Sequence, residues 1–310
     1  MRVLITGGAG FVGSYLVESQ LHHGHHVRAI DLHTKALATI AAQPRLEIVT
    51  GDITDARLVA QTVDGIDVVY HLASAHLGLD ISPADYWRVN VYATLNLLSL
   101  ANAAGVKRFV HCSSNSVVGE IHQPPVDESA PCRPTNIYEV TKLAGEQVAL
   151  RFGRETGFAV VVARPSWVYG PRCPRTRRLF RMVRKGRFVM FGDGSTLRHP
   201  IHVSDAVRAL ELCAQTEESA GQVYFLAGEQ AVTLNRLVRE IASASGTNVQ
   251  IIHLPVLLGK AAGQTLQWAF KPLGKQPPFS LRSMDFYLKP NAYNTGKAQR
   301  DLGFAPQVDV

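Results

Sequence analysis

Cysteine is scarce in this chain and never paired at short spacing. Cys112, Cys132, Cys173 and Cys213 form no C-x-x-C motif, so neither a disulfide framework nor a four-cysteine metal site is expected. A reduced, cytoplasmic protein is the simplest reading. No apolar run approaches bilayer length, and the first one, near the N-terminus, is too short for a signal-peptide core. No repeat, low-complexity linker or basic stripe interleaved with aromatics appears, which argues against nucleic acid as a partner. The net charge of +7 is mild, and its excess is local, in the arginine-rich stretch from Arg172 to Arg187.

What is present begins at the first residues. The apolar run Val3-Leu4-Ile5 leads into Gly7, Gly10 and Gly13, spaced G-x-x-G-x-x-G. The first glycine permits a tight turn, the second lets a pyrophosphate approach the backbone, and the third lets a helix pack close to the strand. The new helix would turn its first amides toward phosphates. The chain returns through Val27 to Asp31, whose carboxylate is placed to accept both adenosine ribose hydroxyls and to repel a 2′-phosphate. NAD is therefore favoured over NADP, with Arg28 and Lys35 nearby in sequence.

Strand-like runs (Arg2–Thr6, His26–Asp31, Leu46–Thr50, Asp67–Leu72, Arg108–Cys112, Ala159–Ala163) alternate with helical segments (Phe11–His23, Asp55–Val63, Ala84–Ala104, Asn136–Thr156). This predicts an α/β fold with a doubly wound parallel sheet over residues 1–171. Residues 172–310 are expected to form a smaller substrate-binding α/β lobe, some of whose segments return to the first domain. Asp31, Asp52, His71 through Ser74, and Ser113-Ser114 all end strands and should line one crevice.

Tyr138 and Lys142 stand four apart at the start of a predicted helix and share one face. The ammonium is expected to lower the phenol's pKa, letting Tyr138 serve as a general acid/base. Ser114, from a strand end, is placed to hydrogen-bond the reacting oxygen.

With these motifs the chain resembles the extended short-chain dehydrogenase/reductases of the NAD-dependent epimerase/dehydratase superfamily. Further matches are Gly51-Asp52-Ile53, Asn90, Arg164-Pro165, Val168 through Pro171, Gly192-Asp-Gly194 and His202 through Asp205. The resemblance implies Tyr138 as acid/base, Lys142 as its activator and Ser114 as the group orienting the substrate, with Ser113 beside it. It implies that Gly7, Gly10, Phe11, Val12 and Gly13 hold the NAD diphosphate. Asp52 and Ile53 would flank adenine, Leu72 and Ala73 the cofactor backbone, and Pro165 the nicotinamide, with Asn90 beside this network. Sugar-nucleotide enzymes of the family carry Asn where this chain has Trp167 and a tyrosine where it has Val118. Arg198 matches a diphosphate-holding position. Leu254-Pro255, Trp268, Phe270, Gln276 through Phe279 and Tyr293 through Ala298 resemble the substrate lobe of 3β-hydroxysteroid-dehydrogenase-like enzymes.

The expected activity is interconversion of a secondary alcohol and a ketone on an apolar small molecule. A nucleotide-sugar epimerase or dehydratase with retained NAD stands as the alternative, and a non-catalytic dinucleotide sensor as a third. Paired long helices suggest a homodimer, by analogy only.

Overall fold

The computed structural model describes residues 1–76, 81–270 and 279–310. Thirteen strands and eleven α-helices are found among them. The first half runs β1 (Arg2–Thr6), α1 (Phe11–His22), β2 (His26–Asp31), β3 (Leu46–Thr50), α2 (Ala56–Val63), β4 (Val68–His71), α3 (Pro83–Trp87), α4 (Ala93–Ala103), β5 (Arg108–Cys112), α5 (Ile137–Thr156), β6 (Val160–Pro165) and β7 (Trp167–Tyr169). The second half runs α6 (Pro174–Val183), β8 (Arg187–Phe191), β9 (Leu197–Arg198), β10 (Pro200–His202), α7 (Val203–Gln215), β11 (Val223–Leu226), β12 (Val232–Thr233), α8 (Leu234–Ala244), β13 (Gln250–Leu254), α9 (Val256–Phe270), α10 (Leu281–Leu288) and α11 (Gly296–Leu302).

Seven strands form one sheet in the order β11-β6-β5-β4-β1-β2-β3, and every pairing in it is parallel. Alternation along β1 shows how the sheet is covered. Val3 and Ile5 face a core shared with Leu16, Val17 and Leu210. Leu4 faces the other, with Leu97, Phe109 and Ala149. Both faces are buried, as a parallel sheet requires. The strand order reverses between β1 and β4, so the glycine turn after β1 and residues 72–76 after β4 border the same crevice.

Local chemistry starts the flanking helices. Asp55 caps α2 by accepting from Arg57 N and Leu58 N, and Asn136 caps α5 by accepting from Glu139 N. The single helix expected over Ala84–Ala104 is instead α3 and α4 joined by a π-turn at Arg88–Tyr92. The extra residue in that turn carries Asn90 inward, where it is 2% exposed.

Segments beyond residue 171 lie in the main sheet and its core. β11 joins the main sheet beside β6, and α7 and α11 contribute Val207, Leu210, Ala298 and Leu302 to its core. The smaller lobe has its own core, built from Leu179, Val183, Phe188, Met190, Leu237, Val238 and Met284, around the β8–β13 pair. Gln276, Pro277 and Pro278 lie outside the described residues. Among the described residues no helix is long and apolar enough to cross a membrane.

Candidate active site

The glycine turn is shaped by close backbone approach. Gly7 has φ +69°, and a β-carbon there would lie 2.8 Å from Ala73 N. A β-carbon on Gly13 would lie 2.1 Å from Gly7 O. Gly10 is the N-cap of α1, with no side chain capping the helix and no acid in its first turn. The first-turn amides of Phe11, Val12 and Gly13 thus open onto a crevice walled by backbone, which suits a diphosphate. At the end of β2, Asp31 accepts from Ala9 N (3.0 Å) and His33 N (3.1 Å). Its carboxylate is thereby pinned to the glycine turn, with lone pairs left for a ribose.

Asp52 accepts from Thr54 N at 2.9 Å and stands 3.6 Å from Arg88, and Ile53 beside it is buried. Leu72 N donates to Thr6 O at 3.1 Å, and Ala73 N to Thr6 Oγ1 at 3.2 Å, so both residues flank the turn. Pro165 ends β6, paired in register with Leu226.

A buried polar chain connects this turn to α5. Thr6 Oγ1 meets His71 Nδ1 at 2.7 Å, and His71 Nε2 meets Thr94 Oγ1 at 2.9 Å. Thr94 donates to Asn90 O at 3.0 Å. Asn90 accepts from Ala75 N (2.8 Å) and donates to Ala75 O (3.2 Å) and Thr141 Oγ1 (3.0 Å). Burial holds the His71 pKa down to about 3, so this imidazole is a neutral relay of hydrogen bonds.

Tyr138 and Lys142 do share a face of α5, and both are buried, at 9% and 3% exposure. The Lys142 ammonium donates to Cys112 O at 2.6 Å. The lowered tyrosine pKa expected from the i, i+4 pair is corrected here. Burial pushes the phenol up to about 12, opposed by a hydrogen bond with Ser114 and the charge of Arg175. Desolvation outweighs the neighbouring charges, so the phenol is the neutral, proton-bearing form at neutral pH. Burial also lowers the Lys142 pKa. Ser114 caps the short turn Asn115–Val118 and lies 2.8 Å from Ser116 Oγ. Ser113 Oγ is buried with no partner among the described residues, an orphaned polar atom beside the crevice.

Trp167 is half-buried, edge-on to Phe286 with ring centroids 6.1 Å apart. Phe286 in turn packs on Tyr287, and Tyr287 on Phe191, so Trp167 opens an aromatic lobe. Arg198 borders the same lobe, its guanidinium carbon 5.0 Å from the Phe286 ring centroid. It is 3% exposed, and its guanidinium donates to the carbonyls of Leu197 (3.3 Å), Asp285 (2.9 Å), Lys289 (2.5 Å) and Phe286. It clamps α10 to β9. Within the arginine-rich stretch, Arg177 and Arg181 of α6 and Arg184 and Lys185 just after it are exposed, while Thr176, Leu179 and Val183 of α6 are buried.

Two residues that sequence reasoning did not place in the site stand beside the phenol. The His76 ring is edge-on to Tyr138, centroids 4.8 Å apart, and Arg175 Nη2 contacts His76 Nε2 at 2.6 Å. Arg175 belongs to the arginine-rich stretch, but nothing in its spacing singles it out from its neighbours.

Replacing Asp31 by Ala should weaken NADH binding about ten- to a hundredfold, the loss of charge-assisted hydrogen bonds to a ribose. The preference over NADPH should narrow as well. Titration of both cofactors by fluorescence checks this, and unchanged affinities would remove Asp31 from the ribose site.

Comparison with known proteins agrees with this geometry. Residues 3–227 match the model of the NAD dependent epimerase/dehydratase family. The chain is 35% identical to 3 beta-hydroxysteroid dehydrogenase/Delta 5-->4-isomerase of Mycobacterium tuberculosis, over 98% of this chain and 86% of that protein. It is 36% identical to dTDP-glucose 4,6-dehydratase of Streptomyces niveus, over 82% and 81% of the two chains. Among solved structures it resembles DesIV, a dTDP-glucose 4,6-dehydratase from Streptomyces venezuelae with NAD and TYD bound. The TM-score is 0.78 at 28% identity, covering 100% of this chain and 93% of that one. The chain therefore belongs to the NAD dependent epimerase/dehydratase family and is an NAD-dependent oxidoreductase of the extended short-chain dehydrogenase/reductase type.

Proposed function

We propose that this enzyme interconverts a secondary alcohol and a ketone on a predominantly apolar small molecule. NAD supplies the hydride acceptor. Gly7, Gly10, Phe11, Val12, Gly13 and Asp31 hold it, with Asp52, Ile53, Leu72, Ala73, Asn90, Ser113 and Pro165 along its length. Tyr138 moves the hydroxyl proton, Ser114 fixes the reacting oxygen, and Lys142 holds the helix end against Cys112 O. In reduction the neutral phenol gives its proton to the forming alkoxide. In oxidation the phenolate takes the proton from the alcohol.

The observation that carries the reading is the half-buried Trp167, edge-on to Phe286 and joined through it to the rings of Tyr287 and Phe191. An indole presents a broad apolar face and one donor, whereas a nucleotide sugar calls for paired donors and acceptors. Arg198, the residue matching a diphosphate position, has both terminal nitrogens engaged by backbone carbonyls, with Nε left without a partner among the described residues.

The test is to supply purified protein with NAD and either a 3β-hydroxysteroid and other hydrophobic secondary alcohols, or dTDP-glucose. NADH should form with the hydrophobic alcohols. Trp167→Asn should raise KM about tenfold or more, since a large apolar side chain buried on substrate contributes about 1.5–3 kcal/mol. Stoichiometric NAD released on denaturation, together with turnover of dTDP-glucose, would overturn the reading in favour of an epimerase or dehydratase. The proposal includes a cytoplasmic homodimer joined through α5 and α4 with the π-turn before it, where Tyr92 of the turn and Leu95 of α4 stand 64% and 42% exposed. Sedimentation of wild type and Leu95→Lys checks the pairing.

A further inference from the structure

Several surface arginines of this protein are matched to a carboxylate: Arg28 to Glu47, Arg151 to Glu155 and Arg172 to Glu18. Arg175 is not. Among the described residues its guanidinium has one partner, Nε2 of His76 at 2.6 Å. A guanidinium has five N–H donors and no acceptor, so the nitrogen facing it carries a lone pair. That tautomer of His76 carries its proton on Nδ1, so the imidazole itself brings no negative charge to Arg175. The same imidazole lies edge-on to Tyr138. A full positive charge therefore stands one ring-width beyond the phenol, close enough to act on it.

A planar fork of donors, exposed and without a counter-ion among the described residues, matches an oxyanion. Two oxyanions can reach this crevice: a group on the substrate and the cofactor diphosphate. The diphosphate already has the first-turn amides of α1.

We propose that Arg175, held in place by His76, binds a carboxylate of the substrate carried a few bonds from the carbon at which Tyr138 acts. The inference rests on the alcohol–ketone reading and narrows it. The substrate has an apolar tail toward Trp167 and Phe286 and a carboxylate toward α6, the chemistry of a long-chain 3-hydroxy or 3-oxo acid. Its supply requires a reaction that leaves a hydroxyl or keto group β to a carboxylate.

The test measures affinity, not turnover. The enzyme is loaded with NADH, and dissociation constants for decanoate and for 2-decanone are measured by calorimetry in wild type, Arg175→Gln and Arg175→Lys. Wild type should bind decanoate about ten- to a hundredfold more tightly than the ketone, the range expected for a charged hydrogen bond. Arg175→Gln should abolish that preference and leave the ketone unchanged, while Arg175→Lys, which keeps the charge and loses the fork, should retain part of it. Equal affinities in wild type, equal losses of both ligands in Arg175→Gln, or no binding of either would overturn the proposal. A weakened NADH constant in Arg175→Gln with the decanoate preference intact would assign the guanidinium to the cofactor and overturn it too. Failure of wild type to reduce any ketone would overturn the alcohol–ketone reading and leave these affinities standing.

Discussion

Tyr138→Phe is expected to lower kcat by about 10²–10⁴, the usual contribution of a positioned general acid/base, while the NADH dissociation constant stays nearly unchanged. The ring packs with Ala75 and Tyr86 in a small core cluster, and its edge contact with His76 needs no hydroxyl. Phenylalanine keeps that packing and removes only the proton carrier. The same residue sets the pH dependence. Burial pushes the phenol up to about 12, so its neutral form, the proton donor for ketone reduction, is present throughout the neutral range. Reduction should therefore run flat with pH and fall only at strongly alkaline values, while alcohol oxidation, which needs the phenolate, should rise with pH. Single-turnover rates in both directions check this. Wild-type turnover by the Phe variant with chemistry limiting, or a reduction rate that falls through neutrality, would dismiss Tyr138 as the proton donor.

Arg198→Ala is expected to destabilise the protein by about 3 kcal/mol or more, since each hydrogen bond to a charged group contributes about 1.5–3 kcal/mol. The substitution takes a charged donor from the carbonyls of Leu197, Asp285, Phe286 and Lys289; Leu197 O and Asp285 O keep backbone donors, and a buried acceptor left without one bears the full cost of its desolvation. Burial already draws the guanidinium's pKa down to about 10, yet it stays charged at neutral pH. Urea unfolding followed at two wavelengths measures the loss. A variant as stable as wild type, with only its substrate affinity reduced, would return Arg198 to the role of a ligand for an anionic substrate. Asp31→Ala probes the opposite case, because that carboxylate keeps acceptor capacity beyond its two backbone bonds.

The parts of this protein legible in its sequence are those governed by short-range rules. Strands β1, β2, β3 and β5 fall on the residues that their apolar runs delimit, because alternate side chains must enter two cores. The glycine turn is legible because φ +69° favours glycine at Gly7 and because a β-carbon on Gly7 or Gly13 would collide with backbone, 2.8 Å from Ala73 N or 2.1 Å from Gly7 O. Tyr138 and Lys142 share a face because an α-helix repeats every 3.6 residues. Helix ends were legible at Asp55 and Asn136, whose side chains cap their own first turns.

What the tertiary structure decided lies in long-range packing and in desolvation, neither of which local spacing encodes. β11 completes the sheet from residues beyond the apparent domain boundary. The Lys142 ammonium goes to Cys112 O, and burial drives the phenol's pKa up where the pair alone would lower it. Arg198 is committed to carbonyls of α10 and Lys289, 87 to 91 residues away in sequence. Arg175 reaches His76 across 99 residues, and only that approach brings a guanidinium beside the imidazole that packs on Tyr138. Residue type and spacing determined which groups are available for chemistry; burial and the meeting of distant elements determined which charges remain free to use it.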